Sequence, residues 1–209
     1  MIRRIAWGLM AGFAVLIALY GLSILLVAGM RPPFIQQRLA TMPLAAGLHF
    51  LGSAVALAVG PFQHNQRIRS RYLTLHRWLG RMYVVAVLAG GVAALMLAAV
   101  SEGGLPAHVG FGLLGSLWLV ATALAYRHIR AGDQLSHRRW MVRSYALTYA
   151  AVSLRIYLPL SQVAGIPFEP AYQTIAWLCW VPNLIVAEWL ILQHQRVAAV
   201  RESGSALAA

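Results

Sequence analysis

His76-Arg77-Trp78-Leu79-Gly80-Arg81-Met82-Tyr83, running straight into VVAVLAGGVAALMLAAV (84–100), is the stretch that decides the fold. Arginines crowd its head, and from Met82 to Val100 there is no charged side chain. As a helix rising 1.5 Å per residue, 78–100 is about 34 Å long, enough to cross a hydrocarbon core of about 30 Å. Working outward, comparable apolar runs occur at 6–29, 42–62, 106–126, 141–163 and 172–193, which makes six in all. The chain of 209 residues is 60% hydrophobic and 11% charged, with a mean hydropathy of +0.69, so lipid and not water must solvate most of its surface.

The expected fold is therefore all-α: a polytopic membrane protein of six transmembrane helices, with a four-helix core from spans 2–5 and both termini cytoplasmic. Residues 1–30 read as a first transmembrane helix acting as a signal anchor, since the apolar run is longer than a signal-peptide core. The four-helix core covers 40–163, the sixth helix 170–195, and 196–209 reads as a disordered cytoplasmic tail.

A net charge of +12 with a pI near 11.2 would suggest a nucleic-acid partner in a soluble chain. Here the positions of the charges give another account. All 17 basic residues are arginines. With the N-terminus inside, Arg3, Arg4, Arg67, Arg69, Arg71, Arg77, Arg81, Arg127, Arg130, Arg138, Arg139, Arg143, Arg196 and Arg201 face the cytoplasm. Only Arg31 and Arg38 lie outside, and Arg155 is within a span. This asymmetry follows the positive-inside rule and predicts the bacterial inner membrane with no nucleic-acid partner. The single cysteine, Cys179, excludes an intrachain disulfide and reads as a small core residue.

Of seven histidines, His64, His128 and His194 sit among polar residues at span ends and read as interfacial. The other four fall one to a span, on spans 2 to 5: His49, His76, His108 and His137. His49 and His108 form an outer level, and His76 and His137 an inner level, roughly 15–20 Å apart by helical rise. Neutral imidazoles from facing helices are the usual iron ligands of b-type haem in a bundle core. Gly52, Gly80 and Gly112 follow a histidine by one helical turn, and Gly60 and Gly90 return near the same faces. These glycines are expected to leave room for a porphyrin.

Arg77-Trp78-Leu79-Gly80-Arg81-Met82-Tyr83 reappears as Arg139-Trp140-Met141-Val142-Arg143-Ser144-Tyr145. The shared R-W-x-x-R-x-Y makes spans 2–3 a parallel repeat of spans 4–5. The repeat aligns His76 with Arg138, one residue from His137.

The combination GPFQ (60–63), HRWLGRMY (76–83), HRRWMVRSYALT (137–148), LRIYLP (154–159) and NLIVAEW (183–189) resembles the bacterial membrane family called domain of unknown function 2306, over roughly residues 40–190. One histidine on each of spans 2 to 5 of a six-helix protein also resembles the architecture of cytochrome b561. That resemblance implies a dihaem electron carrier in which His49 pairs with His108 and His76 with His137. HRWLGR is similar to ferric-reductase-like domains too, although the second histidine those domains carry farther along the same helix is missing.

Arg155 lies five helical turns after His137 and requires an anion, for which an outer-haem propionate is the functional candidate and a helix-packing role the structural one. Glu188 is too far in depth to meet it and is expected to take a tyrosine or an inward arginine, or to serve proton movement or a quinone pocket. Arg77, Arg81, Arg138, Arg139 and Arg143 form a basic collar that would meet inner-haem propionates or an anionic reductant. The expected function is transmembrane electron transfer by one or two haem b groups between a cytoplasmic-side donor or quinone and an outer acceptor, in a monomer or homodimer. The rival reading is a haem-free transporter or assembly factor with structural histidines.

Overall fold

Large apolar side chains face outward in this protein and small ones face inward. In the computed structural model, which describes the backbone of residues 2–206 and the side chains of 5–196, Leu9, Leu16, Leu44, Val85, Leu88, Leu105 and Val186 are exposed. Ala14, Ala46, Ala56, Ala107, Ala125 and Ala176 are fully enclosed. Water would penalise that arrangement. In a bilayer, leucine gains nothing by leaving lipid, and small residues let helices approach closely.

The described residues are helical with no strand. α1 (Ile2–Leu26) leads through a 3₁₀ turn to the short α2 (Pro33–Thr41) and then α3 (Pro43–Gln63). α4 (Gln66–Arg71), α5 (Leu73–Ala98), α6 (Gly104–Arg130), α7 (Gln134–Thr148), α8 (Ala150–Val163), α9 (Phe168–Leu178) and α10 (Val181–Ala206) follow. Five segments are long and apolar enough to span a membrane: Ile5–Leu26, Pro43–Gln63, Leu73–Ala98, Gly104–Arg130 and Phe168–Arg196.

The remaining stretch, 141–163, is divided between α7 and α8. Thr148 Oγ1 donates to Ser144 O, one turn back, at 2.9 Å. Val152 N then reaches only to Tyr149 O at 2.9 Å, so the ladder tightens there. Such hydroxyl back-bonding is a known cause of helix bending. Between α9 and α10 the cause is Pro182, which has no N–H to give and crowds the carbonyl four residues back. The C-terminal stretch expected to be disordered continues α10 to Ala206, and residues 207–209 lie outside the described ones.

α3 packs on α5 and α6 on α7, the two hairpins of the repeat, while α5 against α6 joins them. α1 lies along α3, α9 against α6 and α8, and α10 against α7. The turn between α6 and α7 uses Gly132 at φ 80° and then Asp133, whose carboxylate caps α7 by accepting from Ser136 N at 2.9 Å. The repeated motif has a repeated structure: Arg81 lies over the Trp78 ring at 5.1 Å and Arg143 over Trp140 at 4.6 Å. Its tyrosines, Tyr83 and Tyr145, are both buried.

Tyr83 centres the bundle. Its hydroxyl meets Ser144 Oγ at 2.8 Å and Thr148 Oγ1 at 2.7 Å. Trp118 Nε1 donates to Thr148 Oγ1 at 2.8 Å, and Thr122 Oγ1 meets Ser144 Oγ at 2.7 Å. A polar group left without a partner in hydrocarbon is costly, so this network ties α5, α6 and α7 in one arrangement.

Candidate sites at the two ends of the bundle

Helix alternation gives the bundle an α2 end, with α2 and the 99–103 loop, and an arginine end, with α4 and the 131–133 turn. The Tyr83 network lies between them. Tyr83 lies seven residues, about two helical turns, beyond His76 and the same distance before Gly90, the residue that His49 touches.

At the α2 end, α1, α3, α5, α6, α7, α8 and α9 line a half-open cavity of about 730 Å³. His49 is on its wall, with Nδ1 3.2 Å from Gly90 O and 3.4 Å from Ser53 Oγ. Arg155 is on the same wall. Its guanidinium donates to Ala151 O at 3.0 Å and lies 5.9 Å from the Tyr20 ring centre. α2 roofs the cavity: Phe34 meets Phe168 and Tyr172, and Arg38 pairs with Glu102 at 2.9 Å. His108 is not on the wall. Its Nε2 lies 2.9 Å from Ser101 O, so the expected pair His49 and His108 is not brought to one cavity.

The glycines expected to make room for a porphyrin are mostly filled by protein. A Cβ at Gly52 would come within 2.6 Å of Ala86 O and 2.9 Å of Gly90 N, because α3 and α5 cross there backbone to backbone. A Cβ at Gly60 would overlap the Tyr145 ring, and one at Gly80 would press on Gln63 Oε1 at 3.3 Å. Gly112 has nothing within 4 Å of that position.

At the arginine end, His64, His76 and His137 form a group. Burial, with Arg69, His76 and His137 close enough to act on it, holds the His64 imidazole down at about 4. His137 Nδ1 lies 2.8 Å from Ala125 O, leaving Nε2 as its open nitrogen. His64 Nε2, His76 Nδ1 and Gln63 Nε2 are buried with no hydrogen-bond partner. His64 was expected to be merely interfacial. It follows Pro61-Phe62-Gln63 at the very end of α3, and its ring sits 5.4 Å from that of Tyr145. No sequence spacing marked Gln63 or His64, since neither shares a helix with His76 or His137.

The other charged groups are engaged elsewhere. Arg143 grips Glu188 at 2.5 and 2.8 Å, the inward arginine expected for that acid. His128 pairs with Asp133 at 3.2 Å, and exposed His194 Nδ1 lies 2.7 Å from Leu190 O. Arg81 is committed to Trp78 on the bundle exterior, where Trp78 is exposed. Arg69, Arg77, Arg138 and Arg139 have no carboxylate partner among the described residues. Among those residues, no group of three or more histidine, cysteine or acidic side chains is arranged to hold a bare metal ion.

A family model described as a predicted membrane protein, domain of unknown function 2306, matches residues 46–191. The chain belongs to that family. The match carries both hairpins of this domain of unknown function 2306 protein, its histidines from His49 to His137, Arg155 and Glu188, whereas α2 precedes it. No curated protein and no solved structure matches the chain.

Proposed function

We propose that this membrane protein is a b-type haem electron carrier that holds one haem at its arginine end, with His76 and His137 as the iron ligands. The observation that carries the reading is the group of buried imidazole nitrogens there without protein partners, His76 Nδ1 and His64 Nε2, beside His137. A ligating imidazole usually gives its other ring N–H to a carbonyl or carboxylate, which fixes the ring, and Ala125 O stands in that position for His137. The donor chemistry therefore fits a haem. Bound there, the group would supply reversible one-electron redox chemistry.

The chain's own residues do the rest. His76 on α5 and His137 on α7 come from the two hairpins of the repeat, so a group held between them would clamp the hairpins together. Arg69, Arg77 and Arg138 offer positive charge for propionates and for drawing in an anionic reductant. Arg81 and Arg143 contribute less to this than expected, because Trp78, Trp140 and Glu188 hold them. The α2 end offers one of its two expected imidazoles on the cavity wall, which favours one haem over two.

The excess of arginine at this end supports a cytoplasmic orientation for it, with six passes if α7 and α8 together make the fifth, in a bacterial inner membrane. Purified protein from haem-replete cells, reduced with dithionite, should show the split α and β bands of a six-coordinate b haem. A colourless preparation would instead favour the haem-free class of transporter or scaffold.

A further inference from the structure

The α2-end cavity has a surplus of hydrogen-bond donors and a deficit of acceptors. The Arg155 guanidinium spends one bond on Ala151 O. Tyr20 and Tyr172, on the same wall, have hydroxyls with no hydrogen-bond partner among the described residues. Gln162, also on the wall, reaches Ser161 Oγ and Ile166 O only at 3.5 Å. The one acidic residue on the wall, Glu102, is held by Arg38 at the roof. A cation at membrane depth without an anion is expensive, and this one stands among walls made chiefly of Ile17, Leu57, Leu97, Leu114 and Leu158.

We infer that this cavity binds a carboxylate-headed amphiphile of the free fatty-acid type, its head on Arg155, Tyr20 and Tyr172 and its hydrocarbon body against the apolar wall. The juxtaposition of an acid-free guanidinium, two open tyrosine hydroxyls and an apolar chamber is what selects this chemistry. An acceptor-only, negatively charged head satisfies all three donors at once, and a guanidinium–carboxylate pair is among the stronger hydrogen-bonded contacts. The volume of about 730 Å³ lies within the range of roughly 300–1,000 Å³ usual for ligand pockets. The inference does not rest on a haem at the arginine end, and the two fail separately.

The test is direct binding of cis-parinaric acid to the full chain in a neutral detergent, read as sensitised emission from tryptophan, since Trp118 is on the wall. Saturable binding is expected, competed by oleate and not by methyl oleate or phosphatidylglycerol. Arg155→Gln should weaken it about tenfold or more while the haem absorbance stays that of the parent. Tyr172→Phe should weaken it less. The acid-against-ester comparison on unaltered protein keeps the test valid even if Arg155→Gln fails to fold. Equal competition by acid and ester, stronger competition by phosphatidylglycerol or a neutral quinone, or an unchanged constant in Arg155→Gln would each overturn the proposal.

Discussion

The two ends of this bundle are built on opposite plans. The α2 end is a chamber roofed by α2, with Arg38 paired to Glu102, Arg155 without an acid and a mostly apolar wall, and its one histidine on that wall is tied to the backbone. The arginine end gathers three imidazoles near α4, with arginines that have no carboxylate partner among the described residues. The R-W-x-x-R-x-Y segment of each hairpin forms a Trp–Arg stack and buries its tyrosine, while the histidines do not follow that pattern. The one-residue offset of His137 against His76 marks that departure in the sequence.

The comparison depends on the floor between the ends, so the largest expected effect comes from breaking it. Tyr83→Ala removes a fully buried ring and leaves Ser144 and Thr148 short of a partner. A loss of about 3–5 kcal/mol is expected, with thermal unfolding in detergent moving down sharply and ligand binding at both ends failing together. If only one end failed, the floor would belong to that end alone.

Filling a helix crossing is the next test. Gly52→Val places side-chain atoms where α3 meets the α5 backbone, and overpacking of this kind costs about 1–3 kcal/mol. The loss should appear in the unfolding midpoint with the haem spectrum preserved in the folded fraction. A stable variant with an altered spectrum would restore the view that Gly52 makes room for a porphyrin.

A smaller effect should confine itself to one end. Glu188→Gln releases Arg143 from a partly exposed ion pair, for which about 0.5–1 kcal/mol is expected after screening. Unfolding should register that modest loss, and parinarate binding at the α2 end should not change. The smallest is Thr122→Ala, which deletes one hydroxyl from a shared network; bonds of this kind average about 0.6 kcal/mol in membrane helices.

Much of the helical architecture was legible, because lipid demands long apolar runs and the repeated R-W-x-x-R-x-Y sets two hairpins in parallel. Depth in the span was enough to expect a tyrosine or an inward arginine for Glu188, and Arg143 is the partner found, whereas the five-turn phase from His137 to Arg155 assumed a helix that is divided at Tyr149. The break at Tyr149 was not legible, since no proline or glycine marks it and the chain there remains apolar. Nor was the roof: α2 is short and of mixed polarity, and nothing in its residues says that Phe34 will meet Phe168. Glycine spacing misled for a physical reason. A missing Cβ makes room, but the sequence does not say whether a cofactor, a ring such as Tyr145 or another backbone will take it. His64 was read as interfacial because a residue just past a helix end has no periodicity to betray which way it faces.

The central claim, a haem held at the arginine end by His76 and His137, is tested most directly by the reduced-minus-oxidised absorbance of four variants, each normalised to folded protein. His76→Ala and His137→Ala should each abolish or convert the six-coordinate b-haem spectrum, while His49→Ala and His108→Ala leave it intact. Loss of the spectrum in His49→Ala or His108→Ala, with His76→Ala and His137→Ala unaltered, would contradict the assignment and move the iron to the α2 end.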